Sequence, residues 1–354
     1  MEDTNNWEWQ VENIICSVDT LSEYIYLDET EKEGIHRAES EFSWHISPYY
    51  AHLMDRENRD CPVRMQAVPQ ERELYDDTGM MDPLDEEKHN LAPYVIKVYP
   101  DRIAWTVSNT CPVLCRHCLR KRMVGHEDFD FSPEAMKAAL DYISCTPEIR
   151  DVLITGGDPL MHSDDLIDEL LGKLTEIKHV EIVRIGSRTP CTLPHRITER
   201  LCRILAKYHP LYFNTQFNHP VELTEEAGAA CARLADAGIP LGNQSVLLKG
   251  INDDPDVMKA LVRGLLQFRV RPYYIYQAQT LKGTSHFIAP IEKGIEIIEA
   301  LRGHTSGLAV PVYLLDTPYG KIPMNPETIV RREDDAVYLR AWSGEIWREP
   351  NNRE

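Results

Sequence analysis

The chain has 354 residues, of which 43% are hydrophobic and 27% charged, a globular composition that excludes a disordered, collagen-like or small disulfide-stabilised protein. Lysine and arginine total 38 against 57 aspartates and glutamates, so the formal net charge is −19. A surface this acidic repels phosphate backbones and anionic lipids, so we expect no nucleic-acid or membrane partner. The sequence has neither an apolar run long enough to cross a bilayer nor a secretory signal at its start, which predicts a soluble cytoplasmic protein.

The first 95 residues differ in pattern from the rest. Helix-spaced apolar residues predict helices within 7–27 and 29–42, whereas the Pro-, Asp- and Glu-rich stretch 62–93 predicts an irregular connection. We therefore expect a helical N-terminal subdomain and linker over residues 1–95.

From Arg102 onward, strand-like runs alternate six times with helix-period stretches, at a spacing of about 30 residues. The predicted strands are 102–107, 151–155, 180–185, 211–215, 242–248 and 273–277. The predicted helices are 133–144, 164–176, 194–208, 222–237, 254–268 and 291–301, and a seventh apolar run, 310–315, follows them. This alternation predicts parallel strands joined by right-handed crossovers, in an open doubly wound sheet or an α/β barrel.

Polar, Gly-rich or Cys-rich groups follow directly after all six predicted strands. A doubly wound sheet would use two or three such loops, whereas a barrel brings all of them to its C-terminal mouth. We therefore predict an α/β fold with a partial (β/α)6 TIM-type barrel over residues 96–305. A short C-terminal segment follows over residues 306–354.

Three of the nine cysteines, Cys111, Cys115 and Cys118, lie within one short loop after the first barrel strand. The odd total argues against a disulfide framework. Structural zinc needs four ligands, and the sequence has no second CxxC or HxxxH motif, although zinc or free thiols remain alternatives. Three thiolates on one loop would instead hold a [4Fe–4S] cluster and leave its fourth iron open to a small molecule. We assign the other six cysteines no function.

This CxxxCxxC loop resembles that of the radical S-adenosylmethionine (SAM) enzymes. Other segments resemble lysine 2,3-aminomutase and its relatives over about residues 7–347, namely YPDRIAWTVSNTCPVLCRHCLRKRMVG, ITGGDPL, RIGSRTP, FNTQFNHP, LGNQSVLLKGIND, RPYYIYQ, KGIEIIEALRGHTSG and DTPYGKIP. The resemblance implies an isomerase that moves an α-amino group to the β-carbon. It also implies a [4Fe–4S] cluster, SAM, pyridoxal phosphate (PLP), an external flavodoxin- or ferredoxin-type reductant and a homo-oligomer. The zinc-binding cysteines of some family members are missing, so we expect no zinc.

The same resemblance implies roles for individual residues. Lys321 matches the catalytic lysine that holds PLP, in a Gly-containing loop two residues shorter than the family's. The residues that match the PLP phosphate site are Arg102, Gln244 and Ser245. Those that match SAM contacts are Gly156, Gly157, Asp158, Ser187, Arg188 and Gln216, with His117 at the adenine. From the residues alone, an ordinary strand-to-helix turn at Gly156 and a surface arginine at Arg102 remain alternatives.

The substrate residues depart from the family in one place. Arg120 matches the arginine that holds the substrate's α-carboxylate, a role suited to a planar guanidinium. Of the two acidic residues that bind the distal ammonium of lysine, one matches Asp316, but the other matches the neutral Gln279. A retained carboxylate favours a cationic substrate, L-lysine or L-arginine, over glutamate. The alternatives are modification of a lysine attached to or destined for a translation factor, and a non-enzymatic electron-transfer protein.

Overall fold

A computed structural model describes residues 5–76, 79–125, 129, 131–333 and 336–350. Short helices form the N-terminal part: α1 (Trp7–Glu12), α2 (Val18–Tyr24), α3 (Glu29–Glu39), α4 (Pro48–His52) and α5 (Pro62–Ala67). Side chains before four of them accept a hydrogen bond from the first turn, and Asp28 and Glu31 form a capping box at α3. The prediction of an irregular stretch over 62–93 is wrong in part. Pro62 begins α5, a 3₁₀ turn covers Glu71–Tyr75, and strand β1 (Asn90–Ala92) also lies there.

A ten-stranded sheet forms the centre of the molecule, with its strands in the order of the chain. After β1 these are β2 (Val95–Ile96), β3 (Arg102–Ser108), β4 (Asp151–Gly156), β5 (Ile182–Gly186), β6 (Leu211–Thr215), β7 (Leu241–Leu247), β8 (Val270–Gln277), β9 (Val312–Thr317) and β10 (Gly320–Pro323). Strands β3 to β9 are parallel, and β1, β2 and β10 run antiparallel to their neighbours.

Helices connect the parallel strands: α6 (Pro133–Ser144), α7 (Asp164–Thr175), α8 (Thr189–Thr192), α9 (Glu199–Leu205), α10 (Glu225–Asp236), α11 (Pro255–Gln267) and α12 (Ile291–Leu301). A doubly wound sheet reverses its strand order at a switch point, and this sheet does not. Its first and last strands are not paired in the described residues, so the barrel stays open. The prediction of a partial barrel of six strand–helix units is confirmed, with β9 as a seventh parallel strand.

The N-terminal helices share one hydrophobic core with the barrel. Leu21, Ile25 and Tyr50 belong to the same buried cluster as Trp105 and Phe213, and all five are nearly inaccessible to solvent. Burial of this apolar surface stabilises the packing of the N-terminal segment on the barrel. The division of the chain at residues 95 and 305 remains a prediction. No helix within the described residues is long and apolar enough to cross a membrane.

The C-terminal part forms a hairpin and a small second sheet. Strands β9 and β10 pair with Asp316 opposite Lys321, so both side chains lie on the same face. Gly320 has a φ of +103°, and a Cβ there would lie 2.7 Å from the Tyr99 hydroxyl, so this turn requires glycine. Strands β11 (Ile329–Arg332), β12 (Ala336–Arg340) and β13 (Ile346–Pro350) form the three-stranded antiparallel sheet.

Candidate active site

The three-cysteine loop follows β3 and is fixed by contacts to the N-terminal segment. The Arg116 guanidinium and the Glu73 carboxylate form a buried ion pair, with 2.6 Å between Nη2 and Oε2, and their side chains are 1% and 0% exposed. The ring of His45 hydrogen-bonds the Cys111 carbonyl at 2.8 Å. Since breaking a buried ion pair is strongly destabilising, these contacts hold the loop in one conformation.

The donor set of this loop fits a [4Fe–4S] cluster. Within the described residues, no group of three or more His, Cys, Asp or Glu side chains is arranged to hold a single metal ion. The thiolates of a [4Fe–4S] cluster each bind a different iron, so they need not converge on one point. Burial, followed by the charge of Asp158, raises the pKa of Cys111 well above its usual value, and burial raises that of Cys118 to about 11. Both thiols are therefore protonated without iron, and binding iron must release their protons.

A buried polar network holds Arg188 against the cysteine loop. Its Nη1 donates to the Cys115 sulfur at 2.7 Å. Its Nη2 donates to Glu222 Oε1 and Gln66 Oε1, each at 2.7 Å, and both acceptor side chains are inaccessible to solvent. This network joins the loops that follow β3, β5 and β6 to the N-terminal helices.

His117 and Gln216 meet in the same region. Their Nε2 atoms are 3.0 Å apart, and His117 Nδ1 is buried without a hydrogen-bond partner in the described part of the chain. Burial, followed by the charges of Arg188 and Lys121, holds the pKa of His117 well below its usual value, so the ring is neutral. A neutral imidazole with an unpaired nitrogen fits a heterocyclic ligand such as the adenine of SAM.

The glycines at the end of β4 allow the backbone of the cysteine loop to approach closely. A Cβ on Gly156 or Gly157 would collide with the backbone of Ser108–Thr110, at the start of the cysteine loop. Asp158 is buried, and its Oδ1 accepts hydrogen bonds from the Leu160 N–H and the Ser187 hydroxyl. Its Oδ2 accepts from the backbone of Arg188 and Thr189. Asp158 therefore organises the loop after β5.

A second group of predicted residues lies around Tyr99. The Tyr99 hydroxyl accepts a hydrogen bond from the backbone N–H of Lys321 at 2.6 Å. The Arg102 guanidinium carbon lies 4.0 Å from the Tyr99 ring centroid, and Lys321 Nζ lies 5.8 Å from it. Lys321 Nζ is also 3.4 Å from Asp316 Oδ2. A lysine and an arginine near the same aromatic ring fit the aldehyde and phosphate ends of PLP, respectively.

Gln244 and Ser245 point to opposite faces of β7. The Ser245 side chain is buried, and its hydroxyl donates to the Phe217 carbonyl at 2.8 Å and accepts from Asn243 at the same distance. Gln244 lies in register with Tyr274, whose pKa is raised by burial and by Tyr273. Successive residues of a strand alternate between its faces, so the Ser245 hydroxyl does not face the same side of β7 as Gln244, and the prediction that both contact the PLP phosphate through their side chains is wrong for Ser245.

The residues predicted to contact the substrate lie near one another. Arg120 lies in the connection after the cysteine loop. Burial lowers its pKa, but the charge of Glu86 and then those of Cys118 and Asp316 raise it, so the net direction is upward. Its Nη1 is 3.4 Å from the Thr155 hydroxyl at the end of β4. Gln279 donates from Nε2 to the backbone carbonyl of Asp316 at 2.9 Å. Arg120 therefore lies near both Cys118 and Asp316, and Gln279 and Lys321 both contact Asp316.

Sequence reasoning assigned no role to Tyr99, Glu222 or Gln66. Tyr99 opens the YPDRI motif, and its position three residues before Arg102 was the available signal. Glu222 and Gln66 are 156 positions apart along the chain and meet through a 3.0 Å hydrogen bond. No spacing rule predicts such a pair.

Comparisons with known proteins identify the family of this chain. Residues 105–261 match the family model of the radical SAM superfamily, and residues 298–354 match that of lysine-2,3-aminomutase. The L-lysine 2,3-aminomutase of Fusobacterium nucleatum is 48% identical over 99% of this chain and 84% of its own, and that of Clostridium subterminale is 48% identical over 99% and 85%. The glutamate 2,3-aminomutase of Clostridioides difficile is 47% identical over 98% and 82%.

Among solved structures, Streptococcus suis SuiB bound to S-adenosylmethionine aligns with 58% of this chain and 45% of its own, with a TM-score of 0.43 and 15% identity. The relatives above cover nearly the whole chain at more than 40% identity. This chain therefore belongs to the lysine 2,3-aminomutase family, radical SAM isomerases that use a [4Fe–4S] cluster, SAM and PLP.

Proposed function

We propose that this enzyme moves the α-amino group of a cationic L-amino acid, L-lysine or L-arginine, to the β-carbon. The observation that carries the proposal is the carboxylate of Asp316, which lies on β9 opposite Lys321. Overall identity does not choose the substrate, because relatives named for lysine and for glutamate are equally similar to this chain. The choice therefore rests on the chemistry of the pocket.

Asp316 supports a cationic side chain in the substrate. Its side chain is 19% exposed, and its partner in the ligand-free protein is the Lys321 ammonium, 3.4 Å away. A lysine that holds PLP has its nitrogen directed to that group, which would leave the Asp316 carboxylate available to a second cation. The distal ammonium or guanidinium of a substrate supplies that cation, whereas the side chain of glutamate would bring a second carboxylate.

Gln279 supports both lysine and arginine as substrates. Its amide nitrogen is engaged by the Asp316 carbonyl at 2.9 Å, which directs its oxygen to other donors. An amide oxygen beside one carboxylate accepts hydrogen bonds from either an ammonium or a guanidinium.

The residues of the chain position the reacting atoms. When bound, SAM on the cluster supplies a carbon radical for hydrogen transfer, and PLP carries the migrating nitrogen. Lys321 would hold PLP, and Arg102 would neutralise its phosphate. Arg120 would hold the α-carboxylate while Asp316 holds the distal cation, so the substrate is fixed at both ends. Fixing both ends confines the β-carbon near the SAM side and removes much of the entropic barrier.

The chemistry also bears on partners and location. Reductive cleavage of SAM requires one electron, for which we propose an external flavodoxin- or ferredoxin-type reductant. We further propose a cytoplasmic homo-oligomer.

The test is anaerobic reconstitution with iron, sulfide, PLP and SAM, followed by incubation with single amino acids and detection of β-isomers. We expect β-lysine or β-arginine and no β-glutamate. Turnover of glutamate alone would contradict the proposal. If Asp316 and Gln279 select the substrate's side chain, the double variant Asp316→Asn, Gln279→Lys should accept glutamate.

A further inference from the structure

A strap, defined as residues 79–89, crosses from the N-terminal segment to the substrate residues. Its Met80 N–H donates to the Thr280 carbonyl at 2.9 Å, and the Lys282 N–H donates to the Met80 carbonyl at 3.1 Å. These two bonds pair the strap with the loop after β8, which begins beside Gln279. The strap is thereby fixed next to the residue matched to the substrate's side chain.

Farther along, the strap places Glu86 against Arg120. Glu86 accepts hydrogen bonds from Arg120 Nε at 3.1 Å and from Nη2 at 2.8 Å. The side chains of Glu86 and Arg120 are 6% and 15% exposed. The pair is therefore a shielded, two-point contact of the kind that fixes a guanidinium plane.

The geometry of this contact leaves one edge of Arg120 open. A guanidinium has five N–H donors, and Glu86 engages the edge formed by Nε and Nη2. The other edge, formed by Nη1 and Nη2, lies beside Thr155, whose hydroxyl is 3.4 Å from Nη1. A carboxylate can bind that second edge through two parallel hydrogen bonds without displacing Glu86.

We propose that Glu86 is a positioning residue that orients Arg120 for the α-carboxylate of the substrate. This inference rests on the proposed function. Glu86 also contacts Arg122 Nη2 at 3.2 Å, and Asp82 lies 3.1 Å from the same nitrogen. Arg122 thus keeps Asp82, and Glu87 at 3.9 Å, when Glu86 is neutralised. Arg120, in contrast, loses the partner that fixes its plane.

The experiment compares Glu86→Gln with the matched control Glu87→Gln in the reconstituted enzyme. Glu87 lies on the same strap, but its side chain is 83% exposed. For Glu86→Gln we expect KM for the amino acid to rise about 30- to 100-fold, because Arg120 would bind the substrate's α-carboxylate less well. We expect kcat to stay within about threefold, because the groups that hold the reacting carbon at the other end are unchanged. Discrimination against the α-carboxamide of the same amino acid should fall by a similar factor. Glu87→Gln should match the unchanged enzyme.

A purely structural role for Glu86 would lower thermal stability and leave KM and the carboxylate-to-carboxamide discrimination unchanged, and this result would overturn the proposal. If Glu86→Gln does not fold, Glu86→Asp serves as the test variant. Its carboxylate is one methylene farther from Arg120, so it must either shift the guanidinium or lose one of the two hydrogen bonds to it. An unchanged KM in folded Glu86→Asp would also overturn it. If the unchanged enzyme turns over neither lysine nor arginine, the proposed function fails instead.

Discussion

The two ends of the candidate site are built differently. At the cluster end, Cys115, Asp158, Arg188 and Gln216 come from loops that directly follow neighbouring parallel strands, and hydrogen bonds join them to one another. At the substrate end, Lys321 and Asp316 lie on an antiparallel hairpin, and they are 31% and 19% exposed. Tyr99, which contacts Lys321, and Glu86, which contacts Arg120, come from segments that lie before β3 in the chain.

We expect the cluster end to carry the chemistry that the family shares, and the substrate end to determine which amino acid is used. The cluster end is buried and cross-linked by polar contacts, so most substitutions there disturb several partners at once. Lys321 and Asp316 at the substrate end are partly exposed, so we expect a replacement such as Gln279 to change the charge of the site with little effect on the fold. We therefore expect substitutions at the cluster end to abolish SAM cleavage, and those at the substrate end to change which molecule is used.

The largest effect is expected for Cys115→Ala at the cluster end. Loss of one of three thiolates should prevent assembly of the [4Fe–4S] cluster and abolish both SAM cleavage and isomerisation. Iron content and the yield of 5′-deoxyadenosine measure this. The control is Cys145→Ala, because Cys145 is exposed at the end of α6. An iron-replete, active Cys115→Ala enzyme would remove this loop from the account.

At the substrate end, Lys321→Ala should abolish isomerisation while leaving the cluster intact. The visible absorbance of covalently bound PLP should disappear, whereas iron content and the capacity to bind SAM persist. The surface variant Lys293→Ala, whose ammonium pairs with Glu296 on α12, should retain that absorbance. Covalently bound PLP in Lys321→Ala would show that another lysine holds it.

A smaller effect is expected for Asp316→Asn, which keeps the shape of the side chain but removes its charge. Loss of a charge-assisted contact costs about 1.5–3 kcal/mol, or roughly 10- to 150-fold in KM for the cationic substrate. Asp236→Asn, at an exposed ion pair on α10, provides the control. An unchanged KM would separate Asp316 from the substrate's distal cation.

The last prediction concerns stability rather than turnover, where the N-terminal segment docks on the loop after β8. His286 lies in a 3₁₀ turn, Ser285–Phe287, that Asp76 holds through two backbone N–H groups. Burial, followed by the charge of Arg72, lowers the pKa of His286 to about 4. In the unfolded chain it is about 6.5, so between these values the unfolded state binds a proton that the folded state does not.

The free energy of unfolding should therefore decrease as pH falls from 6.5 towards 4, by about 2–3 kcal/mol from this residue, and show no contribution above 6.5. Urea unfolding at pH 7 and pH 5 measures it. His286→Asn should reduce the difference between the two pH values, whereas the exposed His36→Asn should preserve it. Equal pH dependence in both variants would contradict the burial argument.

The barrel could be predicted from sequence because its pattern is local. Alternating strand and helix periods located all seven parallel strands, and the polar groups after them indicated the barrel mouth. Helix α5 was not predicted because Pro62 was interpreted as a loop residue rather than as the first residue of a helix. Ser245 illustrates a subtler limit, since a motif match does not say which face of a strand each residue occupies. The strap was not predicted because its partners, Arg120 and Thr280, are distant in sequence.

The central claim is that the cysteine loop and Lys321 serve one substrate held between them. The most direct measurement uses lysine or arginine deuterated at the β-carbon, with the reconstituted enzyme and unlabelled SAM. We predict deuterium in the 5′-deoxyadenosine recovered after turnover, and its loss in Lys321→Ala. Formation of the β-isomer with no deuterium in 5′-deoxyadenosine would contradict the claim.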